Sequence, residues 1–306
     1  MHKIEFKAMG CHMLAILDNP STRSVERLAR VPGWFEDWEQ SLSRFRPESE
    51  LSLLNCHAGE PVPVSPTLME VFLSAVEAEK RSHGLVSPTL LDALVEAGYD
   101  QSFELLSPER TRWNREDPNW EFTTTAIEWR IDNHTLCLPP HVHLDFGGVA
   151  KGWAAHQAMQ RLKSYGPVLV DAGGDIAISG LQHDQSSWPV AIADPFQPEA
   201  DLDMLKLGRC GVATSGTDYR RWKQDGVLKH HIIDPRTGKP VETDILSATV
   251  IAPNVMEAEM ATKVVLISGS QTGMEWLEAN PTYAGMVVLE NGDRLYSQQI
   301  EKYLWR

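Results

Sequence analysis

Ile4, Phe6 and Ala8 alternate with the charged Lys3, Glu5 and Lys7, and an apolar run from Met13 to Leu17 resumes after Gly10. A period of two interrupted by glycine predicts an opening β-hairpin. The period then changes: Leu28, Val31, Phe35, Trp38 and Leu42 fall at helical spacing, which predicts a helix over 25–42 with Ser24 as N-cap, kinked or split by Pro32 and Gly33. A second helix is predicted over 68–81, where Val71, Phe72, Ala75, Val76 and Ala78 share one face and Ser82-His83-Gly84 stops it. Further on, short apolar strands at 168–170 and 176–178 flank Ala172-Gly173-Gly174-Asp175. Thr249 to Ile251 leads into a helix near 256–268, and 283–289 with 294–296 reads as a hairpin around Asn291-Gly292. Strands outnumber helices and several are joined by tight turns, so the pattern predicts an α+β fold with largely antiparallel sheet.

Composition narrows the function. The chain has 306 residues, 42% apolar and 23% charged, and a formal charge of -14. That size permits one large domain or two modest ones. The negative charge repels phosphate backbones and anionic lipid, and the small basic run Arg220-Arg221-Trp222-Lys223 suits one phosphorylated small molecule, not a polymer. Nucleic-acid binding and membrane insertion are therefore not expected. Cys11, Cys56, Cys137 and Cys210 form no CxxC pair, which argues against a structural zinc site and for buried free thiols. Residues 1–17 are interrupted by Lys3, Glu5 and Lys7 and do not read as a secretion signal, and no stretch is long enough to span a bilayer, so a cytoplasmic protein is expected. The stretch from Gln101 to Asn119, rich in Pro, Arg and charge, reads as a loop or insertion in a single 1–306 domain.

Four stretches are candidates for chemistry. Gly211 to Val241 joins a small hydroxylated turn, Thr214-Ser215-Gly216, to a histidine-led strand, His231-Ile232-Ile233-Asp234-Pro235. Hydroxyls and backbone N–H groups can hold phosphate oxygens, and an imidazole titrates near neutrality. The same His231 also fits a core histidine donating to a carbonyl, and His230 would point to the opposite strand face. In Asp145-Phe146-Gly147-Gly148-Val149-Ala150-Lys151-Gly152, a carboxylate at a strand end is followed by two glycines and a lysine entering a helix over 153–162. That order suits a phosphate at a helix N-terminus, and suits a plain turn with a surface lysine equally well. Glu259 and Lys263, four apart, read as an exposed ion pair. His141 and His143 share a strand face but lack a third metal ligand.

Taken in order, these segments resemble the FAD:protein FMN transferase family. The resemblance runs from Ala8-Met9-Gly10 through 42–52 and Asn55, Leu91-Asp92-Ala93-Leu94 and Gly98-Tyr99, then Asp145 to Gly152, Ala172 to Asp175, Thr214 to Gly216, His231 to Pro235, and Ala258 to Gly269. It implies a T-fold-like α+β domain that moves FMN from FAD onto a threonine of an acceptor flavoprotein or flavin-carrying domain and releases AMP. Met9, Phe45, Asp92, Ala93, Leu94, Asp145, Lys151, Thr214, Ser215 and Ile233 match FAD-binding positions, Phe45 standing where tyrosine is common. His231 matches the general base, and Lys151 or a cation is the expected phosphate electrophile. FAD hydrolysis to FMN and AMP, or FAD binding without catalysis, are the alternatives.

The family pattern also implies Mg²⁺, held between a carbonyl of the Asp-x-Gly-Gly turn and an Ala-Asp-x-x-Ala-Thr helix. Gly148, Glu259 and Thr262 are the expected contributors here. The chain departs from the pattern at two positions: Glu259 replaces the usual Asp, and Lys263 stands where the metal-binding Thr is usual. Lysine offers no oxygen to magnesium. Either Lys263 takes the place of the cation, or Glu259 pairs with Lys263 and binds metal only when FAD phosphates complete the shell.

Overall fold

A computed structural model describes residues 1–107, 109–110 and 129–306. These residues group into two compact units: Met1–Glu36 with Lys151–Tyr219 and Thr243–Arg306, and Asp37–Ala150 with Arg220–Glu242.

The first unit is built on an eight-stranded sheet whose strands lie side by side in chain order: His2–Ala8, Cys11–Leu17, Val168–Ala172, Ile176–Ile178, Cys210–Gly216, Ile245–Ala252, Ala284–Leu289 and Arg294–Tyr296. Every neighbouring pair is antiparallel. The α+β, antiparallel expectation therefore describes this molecule. Met9 and Gly10 close the first hairpin with φ of 49° and 66°, the left-handed pair that a two-residue turn requires. Ile245–Ala252 is buried at all eight positions because both sheet faces are covered. Ala248, Val250 and Ala252 pack with Ala258, Ala261 and Val265 of the helix Val255–Ser268, while Ile251 and Val212 join Leu205, Leu207 and Trp188. The last three belong to a long hairpin, Trp188–Asp194 with Gln197–Leu207, that the sequence pattern did not predict. Pro189, Pro195 and Pro198 interrupt its alternation, and proline weakens any strand reading. Gly211 lets the helix approach, since a Cβ there would lie 2.0 Å from the Val255 nitrogen.

The helix expected over 25–42 is two helices, Thr22–Leu28 and Val31–Leu42. Pro32 sits in the first turn of the second, where its missing N–H costs no hydrogen bond. The N-cap of the first is Ser21, whose Oγ accepts the Ser24 N–H at 3.3 Å, so Ser24 is inside the helix and not its cap.

In the second unit the helix Pro66–Arg81 is capped by Ser65, and His83 and Gly84, both at positive φ, end it as expected. Three small sheets accompany it: Pro61–Pro63 with Thr135–Cys137 and Arg130–Asp132, Val227–His230 with Arg221–Gln224 and Glu109–Arg110, and Ile233–Asp234 with Lys239–Pro240. Ala93, Leu94, Ala97, Tyr99, Trp222 and Ile233 form a local core. Most of the insertion expected near 101–119, including Trp113, lies outside the described residues.

Candidate active site

The first unit gathers fixed charge. Lys151 lies in the first turn of Ala150–Leu162, a helix that begins earlier than 153. Its Nζ donates to the Asp175 carboxylate and lies 3.7 Å from Glu259 Oε1. Lys263 reaches the same Oε1 at 3.3 Å and donates to the Glu259 backbone carbonyl at 3.2 Å. The other carboxylate oxygen, Oε2, accepts the Gly152 N–H at 3.1 Å. Gly152 is required by space, since a Cβ there would fall 2.5 Å from that oxygen. Glu259 and Asp175 are each only 1% exposed.

Two sequence readings are corrected here. The Glu259–Lys263 pair exists but is buried, because its helix is apolar nearly all round and sits against the sheet. Ala172-Gly173-Gly174-Asp175 is a strand-joining turn that also delivers a buried carboxylate to Lys151. Gly173 and Gly174 adopt φ of 68° and 93°, Asp171 Oδ1 accepts the Gly174 N–H at 2.7 Å, and Asp175 is turned inward. Asp175 was missed because AGGD is a common turn string. Its one clue was a carboxylate at the start of an otherwise apolar strand.

Burial works against the Lys151 ammonium, but Asp175 and Glu259 outweigh it and hold its pKa above the usual lysine range. Burial pushes Glu259 upward, opposed by Lys263 and Lys151. Burial also lifts Asp171 to about 6.

Thr214-Ser215-Gly216 is not a turn; it ends the strand Cys210–Gly216. Thr214 Oγ1 lies 2.9 Å from Thr249 Oγ1 on the neighbouring strand, and Ser215 Oγ lies 2.9 Å from Thr262 Oγ1. Thr262 Oγ1 in turn donates to the Glu259 carbonyl at 2.9 Å. Ser215 therefore connects through Thr262 to the charged cluster. Met9 stands in its hairpin turn at positive φ, in the same unit.

The second unit gathers π-faces and imidazoles. The Arg44 guanidinium lies 4.1 Å from the Phe45 ring centre and 4.7 Å from that of Tyr99. Its Nε holds Asp145 Oδ2 at 2.7 Å, while Asp145 Oδ1 accepts the Gly147 N–H at 2.8 Å. Asp145 thus orders the start of the Asp-x-Gly-Gly turn, from an extended segment and not from a strand. Tyr99 stacks on Trp222 with ring centres 5.3 Å apart, and Trp222 Nε1 donates to the Ala97 carbonyl at 2.7 Å. Phe45 stays 37% exposed at the edge of this cluster. Arg44 and Tyr99 fall in the segments of the family resemblance and Trp222 in the basic run, but nothing local marks a cation and three rings from distant segments as neighbours.

Asp92 holds His143 Nδ1 at 2.8 Å, whereas Ala93, Leu94 and Ile233 turn their side chains into the local core. His141 lies in a turn with φ of 65°, so it and His143 do not share a strand face. His231 sits in a bend between the strands Val227–His230 and Ile233–Asp234, so alternation along one strand does not describe the pair. His230 is structural: Nε2 is 3.1 Å from the Val241 carbonyl and Nδ1 accepts the Ile232 N–H at 3.3 Å. Burial pulls its pKa down to about 4. Below the bend, Asp234 makes a bidentate pair with Arg236 at 2.8 to 3.2 Å and closes the following turn. His231 is half-buried above that clip.

No group of three or more His, Cys, Asp or Glu side chains among the described residues is placed to hold a metal ion. The Glu259 carboxylate already faces two ammonium groups and an N–H, and this donor set does not fit a resident divalent cation.

Residues 9–287 match the ApbE family. The FAD:protein FMN transferase of Vibrio cholerae serotype O1 is 31% identical over 262 residues, covering 83% of this chain and 76% of that protein. That of Treponema pallidum is 28% identical over 289 residues, covering 89% and 79%. Among solved structures, the flavin transferase ApbE from Vibrio cholerae superposes with a TM-score of 0.77 at 26% identity, covering 99% of each chain. The ApbE protein from Thermotoga maritima shares the fold with a TM-score of 0.86 at 24% identity, covering 100% of this chain and 99% of that one. The chain belongs to the ApbE family.

Proposed function

We propose that this protein transfers FMN from FAD to a threonine of an acceptor protein. The observation that carries this reading is the match to FAD:protein FMN transferases over 83% of the chain. His231 and a charge-paired Lys151 add the chemistry such a transfer needs. Flavin and adenine are broad π-systems, and the exposed Phe45, backed by Arg44 and Tyr99, offers a ring on which one can stack. The hydroxyl of a tyrosine at that position is not needed for stacking. Asp92 and Asp145 supply polar edges for the dinucleotide. Ala93, Leu94 and Ile233, with buried side chains, contribute through backbone groups. Met9, Thr214 and Ser215 complete the binding set, and the strained φ of Met9 is the kind of backbone feature that collects at binding sites.

In the transfer, the acceptor threonine oxygen attacks the FMN-side phosphorus, a new P–O bond forms, and the bond to the AMP oxygen breaks. AMP leaves as a phosphate monoester, and His231 accepts the threonine proton. Lys151, held ionised by Asp175 and Glu259, stabilises the charge that grows on the phosphoryl oxygens.

Among the described residues no helix is long and apolar enough to cross a membrane, and no disulfide joins the four cysteines. The four free thiols suit a reducing, cytoplasmic setting for the reaction. The test is to incubate the protein with FAD and follow AMP by chromatography, with and without a flavin-carrying acceptor domain. Release only with acceptor is expected. Equal release without it means water is the nucleophile and the protein is a pyrophosphatase, while no release in either case leaves an FAD-binding protein.

A further inference from the structure

In a transferase that acts on a diphosphate, a buried carboxylate on a helix facing the sheet is an obvious anchor for Mg²⁺. In this chain the carboxylate is taken. Glu259 Oε1 has the Lys263 ammonium at 3.3 Å and the Lys151 ammonium at 3.7 Å, and Oε2 is held by the Gly152 N–H at 3.1 Å. Thr262, the nearest hydroxyl, is fully buried and committed to the Glu259 carbonyl and to Ser215. Asp175, the other buried carboxylate, is paired with Lys151. Lys263 is not a loose surface cation: its side chain is 14% exposed, and it is tied to both the side chain and the backbone carbonyl of Glu259.

A dication seated on Glu259 would need oxygen ligands at roughly 2.0 to 2.1 Å within reach of two ammonium groups that could not withdraw without stranding buried charge. Ammonium is also the group that can give the same service, since it neutralises phosphate oxygens as a point charge. The geometry points to Lys263 as a covalently tethered replacement for the divalent cation, so that this enzyme binds no Mg²⁺ at Glu259 and transfers FMN without added metal. This rests on the FMN-transferase reading, yet the metal-binding half of the claim can be tested without it.

The experiment titrates MnCl₂, a paramagnetic stand-in for Mg²⁺, into the full-length chelator-treated protein, alone and with FAD, and reads free Mn²⁺ by electron paramagnetic resonance. The parent is expected to leave the free signal unchanged beyond what FAD alone removes. Lys263→Thr, which restores an oxygen and removes a charge, is expected to bind one Mn²⁺ roughly tenfold or more tightly than the parent. Circular dichroism checks that the variant is folded, and Lys263→Gln serves if Lys263→Thr is not. In parallel, AMP release with acceptor should survive EDTA in the parent and become EDTA-sensitive in the variant. Stoichiometric Mn²⁺ binding by the parent, with or without FAD, overturns the proposal. So does a folded variant that still leaves Mn²⁺ free, because Lys263 would then not be what excludes the cation. Loss of parental turnover in EDTA overturns it as well. An absence of turnover under every condition counts against the transferase reading, and the Mn²⁺ titration still decides the role of Lys263.

Discussion

The two units carry different side-chain physics. In the first, Lys151, Asp175, Glu259 and Lys263 are buried charges that neutralise one another on rigid sheet and helix. In the second, Arg44, Phe45, Tyr99 and Trp222 form a layered cluster whose outer ring remains exposed, with His231 in a bend on a clipped turn. The proposed transfer gives charge handling to the first set of residues and ring recognition with proton transfer to the second. Loss of Lys151 or Asp175 from the first set should therefore damage fold and phosphate chemistry together. Substitutions in the second should separate binding from turnover.

The largest separation is expected at His231. His231→Ala should slow FMN transfer by about 10²- to 10⁴-fold, the usual range for a lost general base, with FAD affinity retained. Stopped assays of acceptor labelling beside an FAD titration would check this, and a variant that labels at the parental rate removes His231 from the chemistry. Lys151→Met is the counterpart in the first unit. It leaves Asp175 and Glu259 without their shared cation and should cost about 3–5 kcal/mol in urea unfolding as well as nearly all transfer. Unchanged stability would show that the buried pairs are dispensable.

A smaller effect is expected at Asp171, with a defined sign. Its folded pKa of about 6 lies above the ordinary 3.8, so the protonated form stabilises the fold fully below pH 3.8, and that contribution is lost as pH rises through about 6. Asp171→Asn keeps an oxygen for the Gly174 N–H. It should raise stability by up to about 3 kcal/mol at pH 7.5 and by little at pH 4, read from denaturation at both pH values. His230 runs the other way. Its folded pKa of about 4 means stability present above 6.5 and lost as pH falls through 4. The smallest effect is at Phe45: Phe45→Ala should weaken FAD binding by about tenfold through lost stacking, and Phe45→Tyr should leave it within about twofold.

The elements with a clear period were legible in the sequence. The opening hairpin, the 68–81 helix and the closing hairpin follow directly from apolar spacing and turn residues. Buried polar partners were not legible. Periodicity places Glu259 and Lys263 on one helix face, but only the covering sheet determines that this face is dry. Asp175 looked like a turn residue because its partner, Lys151, is 24 positions away. The stacking of Arg44, Phe45, Tyr99 and Trp222 joins three segments far apart in the chain, which no local pattern encodes. Family resemblance supplied Lys151, His231 and Phe45 as a set, while the consequence of Lys263 required its contacts.

The most direct test of the central claim is the intact mass and site mapping of an acceptor domain after incubation with FAD and this protein. The account predicts one FMN in phosphodiester linkage to a threonine, with one AMP formed per label, and labelling slowed about 10²- to 10⁴-fold when His231→Ala replaces the parent. AMP formed without any mass added to the acceptor would contradict it.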